Sequence, residues 1–150
     1  MSDASPPARG LDAGTGPGAA SSWEIYGGDR VFEPLLRDFY ARIAASPLAA
    51  LFPADLEETM RKQFAFQSEF WGGPVRYSPW RGHPRLRARH LPFPIGLAQA
   101  ETWLTCMHQA VLASAMPVAL HGPYLGQMAR TAYAMINQPI GPPPVPVPEA

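Results

Sequence analysis

The stretch RGHPRLRARHLPFPI, residues 81–95, puts four arginines, two histidines and three prolines into one short segment. Side chains of these types suit three chemistries: gripping a nucleic-acid backbone, holding a metal through imidazole, or clamping an anionic cofactor. The rest of the chain narrows the choice. Twelve Lys and Arg balance twelve Asp and Glu, whereas a dedicated nucleic-acid binder carries a positive excess. Cys106 is the single cysteine, which leaves no disulfide framework and no paired-cysteine zinc site. Cys106 and His108 stand two apart on a predicted helix and so face opposite sides, which removes them as a metal pair.

The elements that must position this segment are helical. Leu36, Phe39, Tyr40 and Ile43 recur at three and four residues and form an apolar stripe. Pro34 lies close to the start of that helix, as an early-turn residue or a kink, and the stripe stops at Ser46-Pro47. PLAALFP reads as a short, tight turn. Leu56, Met60, Phe64 and Gln67 mark a second helix with Asp55 as its cap, ended by Gly72-Gly73-Pro74. A third runs from about Leu97 to Ala115, and a fourth covers about Leu120 to Asn137, with Pro117 between them. No segment alternates for long enough to be a strand, so the fold class is all-α. Residues 72–96 form a long Gly- and Pro-rich connection, and a connection of that length inside a compact domain is usually functional.

With 150 residues, 47% of them hydrophobic, the chain can bury one core. Residues 1–22, rich in Gly, Ala, Ser and Pro, are expected to be a disordered N-terminal extension. Residues 140–150, ending in GPPPVPVPEA, are expected to be an extended Pro-rich tail. Its PxxP spacing has no flanking basic residue, which disfavours an SH3-type ligand. The N-terminus has neither the basic start nor the apolar core of a signal peptide, and no apolar run reaches membrane-spanning length. A cytoplasmic, non-membrane protein is the expectation.

The segments WEIYGG, LLRDFYARIA, LFPADLEETMRKQ, FWGGP, RGHPRLRARHLPFPI, AETWLTCM and INQP resemble, in order and spacing, the truncated haemoglobins of group II. The resemblance covers residues 23–139 and weakens after Ala115. It implies a truncated-globin domain over 23–139, a 2-on-2 α-helical sandwich around haem b, with His90 as the proximal iron ligand. It further implies distal roles for Tyr40, Thr59, Gln63 and Trp103, and a haem contact for Phe52. Phe52 stands where some relatives carry a second tyrosine, and Gln63 where some carry leucine, so the distal hydrogen bonds should differ from theirs. The lone cysteine excludes covalent haem attachment through a two-cysteine motif.

The residues support this reading chemically. His90 ends a short predicted helix before Pro92, and in a regular helix its Nδ1–H reaches the Leu86 carbonyl, directing Nε2 to iron. Lys62, Tyr77, Arg81 and Arg89 are candidates for the haem propionates, each exposed pair worth about 0–1 kcal/mol. Arg85 and Arg87 either join them or face solvent. His83 caps its loop or reaches a propionate, while His108 and His121 read as partly exposed structural residues. Tyr40, on the buried stripe, requires a partner for its phenol, and Thr59 and Gln63 share a helix face. Donors from Tyr40, Gln63 and Trp103 should slow O2 release. O2, NO and CO are thus the expected ligands, and high affinity favours redox chemistry, storage or sensing over bulk transport. NO dioxygenation and peroxidase-like activity stay open, an unidentified reductase would be needed, and the chain is expected to be a monomer or homodimer. No nucleic-acid or membrane partner is expected. The competing reading is a small helical module gripping phosphate or nucleic acid through residues 81–89; a zinc enzyme fails for lack of clustered ligands.

Overall fold

A computed structural model describes residues 19–140. The two tails expected from composition lie, for residues 1–18 and 141–150, outside the described residues. Seven α-helices follow in order: α1 Ser22–Tyr26, α2 Gly28–Ala44, α3 Glu57–Phe70, α4 Ser78–Arg81, α5 Leu86–His90, α6 Leu97–Ala113 and α7 His121–Ala134. Two 3-10 turns, Pro47–Leu51 and Val118–Leu120, precede α3 and α7. No strand occurs among the described residues. Nor is any helix among them long and apolar enough to cross a membrane.

The packing is two helices on two: α2 lies against α3, α6 against α7, and α2 crosses α6 between the pairs. The cause is the stripe on α2, where Val31, Phe32, Leu35, Leu36, Phe39, Tyr40 and Ile43 are all buried. They meet Met107, Ala110 and Val111 of α6 and Tyr124 and Met128 of α7 in one core. Each large apolar side chain fully buried there stabilises by about 1.5–3 kcal/mol. Pro34 sits inside α2, where it leaves the Arg30 carbonyl without its usual donor; the helix continues through it.

Composition puts Ser22 with the N-terminal extension, but it is buried in α1, and the Ser21 hydroxyl caps that helix by accepting from the Glu24 N–H at 3.2 Å. α1 carries Trp23 and Tyr26 into the core, with Trp23 stacked on Phe32 at 4.1 Å between centroids. Gly27 (φ 126°) makes the turn into α2, and a Cβ there would stand 2.2 Å from the Val31 side chain. Gln67 of α3 accepts from the Tyr124 hydroxyl at 2.6 Å and the Trp71 indole at 3.4 Å, tying α3 to α7. Asp55 is not the N-cap of α3: that position is Leu56, which has no side-chain capping bond, and the Asp55 carboxylate, one residue earlier, accepts from the Glu57 N–H at 3.0 Å.

Two boundaries differ from the periodicity. α6 ends at Ala113, and the Ser114 hydroxyl takes up the Val111 carbonyl at 2.7 Å. α7 ends at Ala134, three residues short of Asn137. The Ala134 and Ile136 carbonyls are drawn instead to the Arg87 guanidinium, at 2.6 and 3.1 Å. The connection 72–96 holds α4 and α5, but Tyr77 is its one buried residue.

Candidate functional site

α5 presents His90 at its last position. The helix has five residues and enters through Arg85, whose φ of 47° is a left-handed conformation that costs an L-residue about 1–2 kcal/mol. His90 Nδ1 lies 2.6 Å from the Leu86 carbonyl oxygen. A carbonyl oxygen only accepts, so Nδ1 carries a proton, and in the neutral imidazole Nε2 then keeps its lone pair. Among the other histidines, His121 is tied through Nε2 to the Met116 carbonyl at 2.9 Å, and His83 and His108 are exposed. No group of three His, Cys, Asp or Glu side chains suited to a metal occurs among the described residues, so His90 offers one ligand rather than a set.

A second group of residues is set by aromatic packing. Tyr40 is 7% exposed. Its ring meets Phe39 edge-on at 4.8 Å and Phe52 at 6.1 Å, and Phe39 in turn meets Trp103 of α6 at 5.0 Å. Phe39 is thus the spacer that holds Tyr40 and Trp103 apart, a role its place in the stripe does not reveal. The Tyr40 hydroxyl makes no hydrogen bond to a described residue, and burial pushes its pKa well above the usual phenol value. It therefore stays a protonated donor. The Trp103 indole, Gln63 amide and Thr59 hydroxyl likewise have no partner among the described residues. The Tyr26 hydroxyl and Gln67 amide nitrogen are sealed without partners elsewhere in the bundle; the Tyr40 hydroxyl is not.

α3 joins these two groups. Thr59, Gln63 and Phe66 fall on one face at helical spacing and are half-buried. Phe66 packs edge-on against Tyr77 at 5.7 Å, and the Arg89 guanidinium lies over the Tyr77 ring at 6.0 Å. The run of half-buried residues along α3 therefore extends from the donors toward the segment carrying His90.

The cations divide in a way the sequence does not indicate. Arg89 Nη2 donates to the Arg81 carbonyl at 3.1 Å and the His83 carbonyl at 3.4 Å, holding the loop between α4 and α5. Arg87 holds the end of α7, as described above. Arg81 lies over Trp80, with its Nε enclosed and unpartnered, and Arg85 is exposed. Lys62 pairs with Glu58 at 3.7 Å on α3. The structure thus brings Tyr77, Arg81 and Arg89 together, and Lys62 lies one helical turn before Phe66, which packs on Tyr77. A surface cavity of about 560 Å³ between α2 and α3, lined by Leu36, Met60, Phe64 and Trp80, contains none of the expected site residues.

One further residue belongs to this site. The Asn137 carboxamide donates through Nδ2 to the Phe93 carbonyl at 2.8 Å and the His90 carbonyl at 3.3 Å. Its Oδ1 accepts from the Ile95 N–H at 3.0 Å. The INQP motif is the signal that could have pointed to it, but its partners lie more than forty residues away.

A family model described as bacterial-like globin matches residues 21–137. The chain is 42% identical over 112 residues to the group 2 truncated haemoglobin YjbI of Bacillus subtilis, covering 74% of this chain and 85% of that protein. Among solved structures, the group II truncated haemoglobin of Bacillus anthracis superposes with a TM-score of 0.79 at 39% identity, over 83% of this chain and 97% of that one. The truncated oxygen-avid haemoglobin of Bacillus subtilis superposes with a TM-score of 0.75 at 39% identity, over 79% and 100% of the two chains.

Proposed function

The chain belongs to the bacterial-like globins, and within them to the group II truncated, two-on-two haemoglobins; from that premise we propose that it holds haem b through His90 and binds O2 and similar diatomic ligands tightly beside Tyr40, Gln63 and Trp103. The observation that carries this reading is a contrast of hydrogen bonding. His90 has its Nδ1 committed to Leu86, while the Tyr40 phenol is buried, protonated and unpaired. The residues fit the group: an imidazole with a free Nε2, an aromatic face from the half-buried Phe52, and nearby arginines for two carboxylates. Haem, when bound, supplies an iron centre with reversible affinity for O2, NO and CO.

The protein's own part is orientation and charge. The Leu86 carbonyl fixes the tautomer of His90 and raises its basicity as a ligand. Tyr40, Gln63 and Trp103 would offer donors to a diatomic ligand carrying partial negative charge. A hydrogen bond to a charged acceptor is worth about 1.5–3 kcal/mol, or roughly 10- to 150-fold in affinity. Thr59 stands on the same face of α3 and lines the approach. The oxygen-avid relative agrees with this direction. A protein that retains O2 so strongly delivers it poorly, which favours redox chemistry with O2, NO or peroxide, or storage or sensing, over bulk transport. The propionate candidates are Lys62, Tyr77, Arg81 and Arg89. Arg89 holds its loop, and Lys62 is paired with Glu58.

The test is substitution of His90 by glycine. The variant should lose the five-coordinate ferrous spectrum, and free imidazole should restore it by entering the space the side chain leaves. If His83→Ala abolishes haem binding while His90→Gly retains it unchanged, the assignment of His90 is wrong.

A further inference from the structure

We infer that Asn137, at the end of the segment following α7, is a positioning residue for His90, so that the C-terminal end of the domain forms part of the proximal site. The inference rests on the reading of His90 as the iron ligand. Its basis is the backbone of residues 90–96. Pro92 and Pro94 have no N–H, so this turn has few donors with which to organise itself. α5, with five residues and no side-chain cap, is far below the length at which a helix is stable alone. Something outside the turn must hold it.

Asn137 does so with its whole carboxamide. Nδ2 has two hydrogens, directed to the Phe93 and His90 carbonyls at 2.8 and 3.3 Å. Oδ1 accepts from the Ile95 N–H at 3.0 Å and from the Gln138 side chain at 3.1 Å. Turning the amide over would set its NH2 against the Ile95 N–H and its oxygen against two carbonyls, so the network admits one orientation. The Asn137 N–H also donates to the Ile95 carbonyl at 2.8 Å. The His90 carbonyl, which further accepts from the Phe93 N–H at 3.0 Å, is thereby held by two donors. Arg87, three residues before His90, grips the Ala134 and Ile136 carbonyls. The proximal turn and the end of α7 are therefore joined on both sides of His90, and Asn137 makes the contact to the His90 backbone itself.

Aspartate at 137 can still accept from Ile95 but cannot donate to the two carbonyls, whereas alanine removes both functions. In the haem-loaded full chain, Asn137→Ala and Asn137→Asp should each lose haem to a competing apoglobin about 5- to 20-fold faster than wild type, from the loss of two donated bonds. Their iron–imidazole stretching band, read by resonance Raman in the ferrous form, should shift or broaden. Tyr124→Phe, which removes the buried bond to Gln67 far from this turn, should lower thermal stability and leave that band in place. If both Asn137 variants fold and retain the wild-type band and haem-loss rate, the inference is overturned. It is also overturned if Tyr124→Phe moves the band as much as they do, because the effect is then one of general stability. His90→Gly separates this result from failure of the underlying reading: an iron–imidazole band that persists in His90→Gly without added imidazole refutes the ligand assignment, whatever Asn137 does.

Discussion

The bundle and the connection 72–96 are held together by different forces, and the contrast explains where the reactive groups come from. In the bundle, position is set by burial: Phe39 wedges between Tyr40 and Trp103, and Trp23 stacks on Phe32. Tyr40 and Trp103, placed by packing, have no hydrogen-bond partner among the described residues, so their polar ends remain available. In 72–96 a single residue, Tyr77, is buried, and hydrogen bonds do the placing. The Glu69 carboxylate receives the Tyr77 and Ser78 N–H groups at 3.1 and 2.8 Å. The Ser68 hydroxyl donates to the Pro74 carbonyl at 2.6 Å. Arg89, Arg87 and Asn137 complete the set. There most polar groups are consumed by the scaffold, and what remain are the lone pair of His90 Nε2 and the enclosed, unpartnered Nε atoms of Arg81 and Arg89.

Gly73 is where the two regimes meet, and altering it should have the largest effect. A Cβ at Gly73 would fall 2.5 Å from the Trp23 ring. That ring cannot yield easily, since Phe32 stacks on it and the Trp23 N–H is bonded to the Trp71 carbonyl at 2.9 Å. Gly73→Ala should cost about 2–3 kcal/mol in urea or thermal unfolding. Gly122→Ala, with open space around its Cβ and a helical backbone, should be neutral or slightly stabilising. Equal losses at both positions would show that the junction is not specially tight.

On the bundle side, Tyr40→Phe keeps the packing and removes one donor. O2 should dissociate roughly 10-fold faster, and CO, which develops less charge, should respond much less. Trp103→Phe should act in the same direction, and the double variant should be non-additive because the donors share one acceptor. Similar changes for O2 and CO, measured by stopped flow and flash photolysis, would point to altered access rather than lost hydrogen bonding.

The smallest effect expected lies at the ion pair that fastens the connection to the bundle. Arg76 donates to both Asp29 carboxylate oxygens at 3.0 and 2.9 Å, and this hydrogen bond holds the Asp29 pKa below the usual carboxylate value. A carboxylate with a lowered folded pKa stabilises above its unfolded value, and the contribution is lost as pH falls through the folded one. The pair is about half exposed on the Asp side, so Asp29→Asn should cost only about 0.5 kcal/mol at pH 7. Wild type and variant should converge as pH falls below the lowered folded pKa of Asp29. A difference in urea midpoint that persists there would assign the effect to the Trp23 indole bond, which the Asp29 carboxylate also accepts.

What was legible in the sequence divides along the same line. The stripe of α2 and the four-residue step from Leu86 to His90 follow from local spacing, and burial or backbone geometry enforces them. The clasp at Asn137 and the turning of Arg87 and Arg89 to backbone carbonyls were not legible. In the Arg87 and Asn137 contacts the partners are 42 to 49 residues apart, and periodicity carries no information at that distance. An arginine-rich run therefore suggested charges for an anion where two of the four arginines hold the fold. α1 was missed because its five residues are too few to show a period.

Titrating haem into the purified apoprotein, and recording absorption of the ferrous form with and without CO, tests the central claim most directly. The account predicts saturation at one haem per chain and a five-coordinate ferrous spectrum that shifts on adding CO. A protein that stays colourless, or takes up haem without saturating, would contradict it.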